Sequence, residues 1–341
     1  MANEIKIIDV KKVAFVEVAE PEVLGDEEVL VETLISGLSA GTEMQFYLGI
    51  APFFNKELDA HKNLFVKTET ESYKYPLSYG YENVGKIAEV GKNVTNLKVG
   101  DVVASYFGHI SKFKTKAEGF VILPESMDPR SGVFLPLLGV AYKNILNARI
   151  ILGETVVIFG AGIVGQLLIQ LAKLSGAGRV ISVDMCDYRL DRAKESGADI
   201  CLNPKKIADV ANEIRSLTSN RGADVVFEAT GSSIALHEAI RTVYRTGTVY
   251  ATSFYRGEAK GLFLGEEFHH NAARIVMSGC IPNEVRPRWD EKRWQDALET
   301  TLPLLKLDHL ISHEFAATDA QQAYETAAEK PDECLQIIFS Y

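Results

Sequence analysis

The chain has 341 residues, of which 47% are hydrophobic and 24% are charged, a composition typical of a globular protein with a large core. Two domains are expected, at roughly 100–200 residues per domain. The formal net charge of -10 argues against nucleic acid and anionic membranes as partners, because both need a basic face. No targeting or membrane-spanning segment is predicted, and four widely spaced cysteines favour free thiols. A cytoplasmic protein is therefore expected.

Short β-strands dominate the first third of the chain. Lys12–Val18 and residues 28–34 carry β-branched residues in partial alternation, and residues 85–90 and 100–103 form a second pair. Strands this short, separated by Gly and Asp, indicate a small antiparallel barrel. The polar segment 51–75 is poorly periodic and is predicted to be a long loop over a cleft.

Strands and helices alternate after about residue 124. The predicted strands are 154–159, 179–183, 223–228 and 248–252, and the helices between or after them are 162–173, 188–196, 207–218 and 234–242. This order predicts an α/β fold with a doubly wound parallel sheet. A further strand near 274–278, a helix at 292–305 and a last strand at 335–339 follow, and the last strand is expected to return to the first domain.

A glycine motif directly follows the first strand of this series. It consists of Gly160, Ala161, Gly162, Ile163, Val164 and Gly165. The glycines suit a tight turn, close approach of a pyrophosphate and packing of helix on strand, while the free N–H groups of the helix start favour phosphate. The motif predicts a dinucleotide site. A purely structural glycine turn is the alternative.

Asp184 ends the next strand, 24 residues after Gly160, close to the roughly 20-residue offset of an acidic ribose anchor. A carboxylate at this position repels a 2′-phosphate, so NAD is predicted in preference to NADP. A helix-capping aspartate is the alternative.

Four phrases resemble the medium-chain dehydrogenase/reductase family of zinc-type alcohol dehydrogenases: residues 36–43 (SGLSAGTE), 79–85 (YGYENVG), 99–103 (VGDVV) and 139–142 (GVAY). The resemblance spans nearly the whole chain. It implies a GroES-like β-barrel catalytic domain of residues 1–125 and 275–341, and a Rossmann NAD-binding domain of residues 126–274. It further implies a small-molecule substrate, a cleft between domains and a homodimer or homotetramer. It also adds Arg189 and Thr230 to the expected cofactor-binding residues.

The chain departs from the zinc-dependent members of that family. Those members carry a cysteine near Ser39, a histidine where Tyr81 stands and a Cys, Glu or Asp near Leu135, so that of the usual ligands only Glu82 survives. A catalytic zinc needs three protein ligands. The pattern resembles a zinc-lacking branch that includes bacteriochlorophyllide hydroxyethyl dehydrogenase, alongside threonine and sorbitol dehydrogenase-like proteins. No catalytic or structural zinc is expected.

Oxidation of an alcohol without zinc needs another group to take the hydroxyl proton. His109 is the predicted base, because an unperturbed histidine titrates near neutral pH. The alternative, which the sequence favours equally, is an imidazole with a structural role only. Tyr81 and Glu82 are expected to orient the substrate or relay the proton. For Tyr81 the alternative is filling of the vacated metal volume, and for Glu82 it is a buried structural carboxylate.

Substrate contacts are expected from Ser39, Thr42 and Glu43, whose polar groups suit a sugar or polyol, and from His269. The segment 265–271 (GEEFHHN) offers Glu and His at helical spacing but no third ligand nearby in sequence, so a polar, non-metal segment is favoured.

The sequence thus predicts NAD-dependent oxidation of a secondary alcohol, or reduction of the matching ketone, on a sugar, polyol or related compound. Two alternatives stay open. One is a zinc-free, NADPH-dependent quinone or enoyl reductase, against which Asp184 weighs. The other is a nucleotide-binding protein that has lost turnover.

Overall fold

A computed structural model describes residues 1–51, 54–69, 72–255, 257–279 and 290–341. It divides into two compact units, Met1–Pro136 with Ile311–Tyr341, and Leu137–Leu310. The expected domain boundaries at residues 125 and 274 stay a prediction. No helix among the described residues is long and apolar enough to cross a membrane.

The elements are labelled in chain order. The described strands are β1 (Ala2–Asp9), β2 (Lys12–Val18), β3 (Glu28–Leu38), β4 (Lys56–Asp59), β5 (Leu64–Lys67), β6 (Leu77–Ser78), β7 (Asn83–Val90), β8 (Val102–Ser105), β9 (Lys112–Lys116), β10 (Val121–Ile122), β11 (Thr155–Phe159), β12 (Arg179–Val183), β13 (Ile200–Leu202), β14 (Val225–Glu228), β15 (Thr248–Ala251), β16 (Arg274–Met277), β17 (Ile311–Ala316) and β18 (Gln336–Ser340).

The described α-helices are α1 (Glu43–Tyr47), α2 (Leu135–Ala148), α3 (Ile163–Leu174), α4 (Asp187–Glu195), α5 (Val210–Leu217), α6 (Ser233–Thr242), α7 (Glu291–Thr301) and α8 (Ala320–Glu329). A wide helical turn, Leu264–Phe268, precedes β16.

The first unit is built on a sheet with the strand order β10-β8-β7-β3-β18-β17, to which β9 adds through β3. β3 pairs antiparallel with β7 and with β18, so the predicted return of the last strand to the first domain is confirmed. Apolar residues on one face of β3, β7, β8 and β9 pack together as a core: Val29, Val31, Ile87, Val103 and Phe113. This core fixes the ends of β3 and β7, where polar side chains gather.

The segment predicted to be a long loop contains a hairpin instead. β4 and β5 pair antiparallel, from Lys56 opposite Lys67 to Asp59 opposite Leu64. The prediction was wrong here because most side chains of the hairpin are exposed, so it lacks the alternation that a half-buried strand displays.

The second unit contains a sheet of order β13-β12-β11-β14-β15-β16 in which all pairs are parallel. The predicted parallel sheet is therefore confirmed. β16 belongs to this sheet because Arg274 pairs with Thr248 and Met277 with Ala251, which carries the second unit beyond residue 274.

Three of the four cysteines, Cys186, Cys201 and Cys334, are described, and all three are free thiols. Cys280 lies outside the described residues.

Candidate functional site

The glycine motif forms the turn between β11 and α3. Gly160 has φ of +97°, a conformation that favours glycine, and its N–H donates to the carbonyl of Val183 at 2.7 Å. A Cβ at Gly165 would lie 1.9 Å from the Gly160 carbonyl oxygen, whereas a Cβ at Gly162 would meet nothing within 4 Å. The third glycine is therefore required by packing, and the second borders open space at the start of α3. A dinucleotide-binding loop needs both properties, close packing of the helix on the strand and open space for the pyrophosphate.

Ile163 and Val164 lie in the first turn of α3, after Gly162 as its N-cap. Gln166 was missed by the sequence analysis. Its Nε2 donates to the Ala161 carbonyl at 2.9 Å and to the Arg189 carbonyl at 3.0 Å. This buried amide ties the loop to α4, and only the fold reveals its partners.

Asp184 lies directly beyond β12, and its carboxylate reaches the glycine loop. Oδ2 accepts from the Ala161 N–H and Oδ1 from the Cys186 N–H, each at 2.8 Å. The side chain is held in one orientation by two backbone donors. A carboxylate offers about four lone-pair sites, so it can still accept from hydroxyl groups.

A second acid next to the loop was missed by the sequence analysis. Glu228 ends β14 and is fully buried. Its carboxylate accepts from the Thr230 N–H at 2.7 Å, the Gly231 N–H at 3.2 Å, the Tyr255 hydroxyl at 2.5 Å and the Thr230 hydroxyl. Burial raises the pKa of Glu228, and these donors oppose the rise.

The predicted cofactor residue Thr230 is placed beside the glycine turn by this acid. A Cβ on Gly160 would lie 2.8 Å from the Thr230 Cγ2. The fold therefore brings the ends of β11, β12 and β14 together at one edge of a parallel sheet, which is where such folds bind nucleotides. The one sequence signal for Glu228 was a glutamate at the end of an apolar strand run.

Three hydroxyl side chains meet in the first unit. Ser39 follows β3, Thr42 is the N-cap of α1 and Tyr81 precedes β7. The hydroxyls of Ser39 and Tyr81 are hydrogen-bonded to each other, and the Thr42 hydroxyl lies 3.4 Å from that of Tyr81. Burial, and then the nearby Glu82, raise the pKa of Tyr81, so its phenol is neutral at physiological pH. We refer to these three side chains as the hydroxyl cluster.

His109 and Glu43 form a buried pair beneath this cluster. His109 is 1% exposed, with Nε2 2.9 Å from the Glu43 Oε2 and Nδ1 2.7 Å from the Ser36 hydroxyl. Glu43 also accepts from the Ser39 N–H at 2.8 Å and the Tyr324 hydroxyl at 2.6 Å. Both ring nitrogens of His109 are therefore engaged by the protein, and the Glu43 carboxylate is directed inward.

Glu82 points into the interior of the first unit. It is fully buried, and its Oε2 accepts from the Gln336 Nε2 at 2.9 Å, while Oε1 has no partner within the described chain. A Cβ at Gly37 would lie 2.3 Å from Glu82 Oε2, so a glycine is needed opposite this acid. Burial, reinforced by Glu43, raises the pKa of Glu82 well above its usual range.

The positions at which the family resemblance implies zinc ligands include Ser39, Tyr81 and Leu135. Ser39 and Tyr81 are neutral and bonded to each other, and Leu135 is a buried hydrocarbon. In the described part of the first unit, no three His, Cys, Asp or Glu side chains converge at metal-binding distances.

His269 lies in the second unit, at the end of the wide helical turn, and is exposed beside His270, with ring centroids 5.3 Å apart. The hydroxyl cluster belongs to the first unit. The fold also brings His237 to Glu266 and Glu267, which supplies the third polar partner that the local sequence lacked.

Two family models match the chain. The alcohol dehydrogenase GroES-like domain matches residues 25–134, and the zinc-binding dehydrogenase model matches residues 164–299. A D-guloside 3-dehydrogenase from Escherichia coli K12 is 31% identical over 339 residues, covering 95% of this chain and 93% of that protein. A probable D-xylulose reductase A from Emericella nidulans is 34% identical over 257 residues, covering 61% of this chain and 72% of that protein.

Among solved structures, the 2R,3R-butanediol dehydrogenase of Bacillus subtilis superimposes with a TM-score of 0.80 at 20% identity, covering 100% of both chains. At this identity the likeness shows the fold, and it confirms the predicted combination of a GroES-like domain with a Rossmann-like parallel sheet. Structures of the same fold contain NADP in one case and NADH in another.

Proposed function

The chain belongs to the zinc-type medium-chain alcohol dehydrogenase family, whose members are oxidoreductases that act on alcohols with a nicotinamide cofactor, and from that premise we propose its cofactor, chemistry and substrate class. The proposal is an NAD-dependent dehydrogenase that interconverts a secondary alcohol and a ketone on a sugar, polyol or related small molecule, without a catalytic zinc. The observation that carries it is that one chain has both an anchored Asp184 and a hydroxyl cluster at the positions where the resemblance implies zinc ligands.

NAD is proposed because Asp184 is held against the glycine loop as a carboxylate acceptor. Two backbone N–H groups fix its orientation, so ribose hydroxyls meet a preorganised acceptor whereas a 2′-phosphate meets a negative charge. The N–H groups that start α3 suit the pyrophosphate, and the open space beside Gly162 admits it. When bound, the nicotinamide accepts or returns a hydride.

Zinc-independent chemistry is proposed from the available donor atoms. A zinc ion prefers thiolate, imidazole and carboxylate ligands. The corresponding side chains are a serine, a tyrosine with a raised pKa, a leucine and a carboxyl group whose raised pKa favours its neutral form. This set cannot neutralise a divalent cation, so the side chains themselves must polarise the substrate.

The hydroxyl cluster is the proposed catalytic group. In ketone reduction, the neutral Tyr81 phenol can donate a hydrogen bond and then its proton to the substrate oxygen, where negative charge develops during hydride transfer, and the phenolate then takes a proton from solvent. Alcohol oxidation is the reverse of these steps, with the phenolate accepting the hydroxyl proton. Ser39 and Thr42 hold the phenol and offer further hydrogen bonds to substrate hydroxyls. His109 and Glu43 act as positioning residues in this proposal, because the pair fixes the Ser39 backbone and both nitrogens of His109 are already engaged.

The substrate class follows from this polarity and from the relatives. Hydroxyl side chains recognise polyhydroxylated compounds, and the relatives are named for a guloside and for xylulose. The same proposal includes a cytoplasmic location and a homodimer or homotetramer. Light scattering of the purified protein would measure the oligomeric state.

The test measures NADH and NADPH binding by nicotinamide fluorescence, then turnover of a panel of sugars and polyols by chelator-treated protein. We expect tighter NADH binding, and turnover that chelation does not abolish. The matched variants are Tyr81→Phe and Tyr73→Phe, because Tyr73 is an exposed tyrosine of the same unit. Tyr81→Phe should lower kcat about 100-fold or more, in the range found for a lost oxyanion donor, with Tyr73→Phe near wild type.

Three results would overturn parts of the proposal. Preferential NADPH binding would remove the NAD assignment. Loss of turnover on chelation that zinc restores both in the wild type and in His237→Ala would remove the zinc-independent mechanism. NADH binding with no turnover across the panel would favour a nucleotide-binding protein.

A further inference from the structure

A cluster of metal-ligating side chains lies in the second unit, away from the residues used above. His237 lies on α6, and Glu266 and Glu267 lie in the wide helical turn Leu264–Phe268. One ligand atom from each residue lies within 4.8 Å of the others, and Nε2 of His237 is 3.7 Å from Oε2 of Glu266. We propose that His237, Glu266 and Glu267 bind a divalent transition-metal ion.

The side chains of this cluster have unused polar atoms. Nδ1 of His237 and Oε2 of Glu267 are both buried atoms without a hydrogen-bond partner within the described chain. The His237 side chain is 12% exposed and its ring is held edge-on by Phe263, with centroids 5.3 Å apart. Buried polar atoms without partners are rare because each costs about 1–3 kcal/mol. His237 and Glu267 therefore each keep a polar atom that no group of the described residues uses.

The charge around the cluster also favours a cation. Arg241 on α6 lies 2.7 Å from Asp209, 2.9 Å from Glu238 and 3.4 Å from Oε1 of Glu267. This guanidinium faces three carboxylates, and Glu266 adds a fourth, so the local sum is +1 − 4 = −3 before His237 is counted. Arg241 contacts Oε1 of Glu267 and thereby orients the opposite oxygen, as outer partners orient metal ligands.

One imidazole and two carboxylates select the class of ion. Imidazole with carboxylate suits Zn²⁺ and its first-row neighbours, whereas Ca²⁺ and Mg²⁺ prefer oxygen ligands alone. Glu266 is 60% exposed, so the coordination sphere is completed by water on that side. The ion would link α6 to the segment before β16, and its expected effect is on stability rather than on hydride transfer.

The experiment uses the full chain after metal removal with a chelator. Zn²⁺ is titrated by calorimetry and by competition with a chromogenic chelator, and melting temperature is followed with and without Zn²⁺. The variants are His237→Ala and Glu267→Gln. His270→Ala is the matched control, because His270 is an exposed histidine of the neighbouring segment that is not part of the cluster.

We expect one Zn²⁺ per chain and a melting temperature that rises with zinc in the wild type and in His270→Ala. His237→Ala and Glu267→Gln should weaken zinc binding by about 100-fold or more, since even outer-shell changes cost about 10–100-fold. Circular dichroism of each variant confirms folding, and Glu267→Gln keeps the side-chain volume if His237→Ala does not fold.

Other outcomes overturn the proposal. Absence of zinc binding would reject the metal site. Equal zinc binding by His237→Ala and the wild type would place the ion elsewhere. Zinc lost with Glu82→Gln but retained in His237→Ala would locate it in the first unit, and would then contradict the proposed zinc-independent mechanism instead.

Discussion

The two compact units carry their candidate sites in different ways. In the second unit, the glycine loop and Asp184 lie within 25 residues along the chain, and their hydrogen bonds join neighbouring segments of one strand-helix-strand unit. In the first unit, the buried pair and its partners come from three separate stretches of the chain: Ser36 with Glu43, then His109, then Tyr324. A site built from residues close together in the chain can be predicted from the sequence, whereas a site built from distant residues can be identified only once the fold is known.

The largest expected effect is on the stability of the first unit, through its buried His109–Glu43 pair. His109→Ala leaves the buried Glu43 carboxylate without its imidazole partner, which costs about 1–3 kcal/mol or more, and the cavity left by the ring adds to this loss. Urea unfolding should show this loss. His270→Ala, an exposed substitution, should leave stability near wild type. Full stability of His109→Ala with turnover reduced would instead restore His109 as the catalytic base.

The glycine loop of the second unit is tested next, by substitution of two of its glycines. Gly165→Ala places a Cβ 1.9 Å from the Gly160 carbonyl and should destabilise the second unit by about 1–3 kcal/mol or more. Gly162→Ala meets no neighbour and should keep stability, yet weaken NADH binding about tenfold, or roughly 1.4 kcal/mol, by blocking the pyrophosphate. Thermal unfolding and NADH fluorescence separate the two effects. Unchanged NADH affinity in Gly162→Ala would show that the open space is not the phosphate site.

Asp184→Ala should weaken NADH binding about 10-fold or more, because a charge-assisted hydrogen bond contributes about 1.5–3 kcal/mol. NADPH should bind relatively better once the carboxylate is gone. Asp187→Ala is the control, since Asp187 is a nearby aspartate paired on the surface with Lys206. Titrations of both nucleotides provide the comparison. Equal affinity of the wild type and Asp184→Ala for NADH would reject the ribose anchor.

The smallest effect is a pH dependence in the first unit. Burial raises the pKa of Glu82 in the folded state above its unfolded value of about 4.3, so the folded state holds the proton more tightly. This contribution to stability is present below the unfolded pKa and is lost as pH rises toward the folded pKa. Glu82→Gln removes it. Urea unfolding at pH 6 and at pH 7 should show the wild type losing up to about 1.4 kcal/mol relative to Glu82→Gln over that one pH unit. Parallel curves would indicate an ionised Glu82.

Much of the fold was predictable because regular elements follow local patterns. β11, β12, β14 and β15 are buried strands with apolar runs, and the motif after β11 required glycine for steric reasons. The hairpin of β4 and β5 was not predictable, since its exposed side chains do not alternate. Glu228 was missed because its donors, Thr230, Gly231 and Tyr255, become its partners only when β14 ends beside the turn that they form.

The amino-acid sequence by itself determined the strand-helix alternation around β11, β12, β14 and β15, the glycine loop and the acidic residue after β12, because these depend on backbone sterics and on spacings of a few residues. Tertiary structure decided the burial and the hydrogen-bond partners of His109, Glu43 and Glu82, and it joined His237 to Glu266 and Glu267. The protonation and availability of a polar side chain depend on its burial and its partners. Those partners come from distant parts of the chain, and only folding brings them within hydrogen-bonding distance.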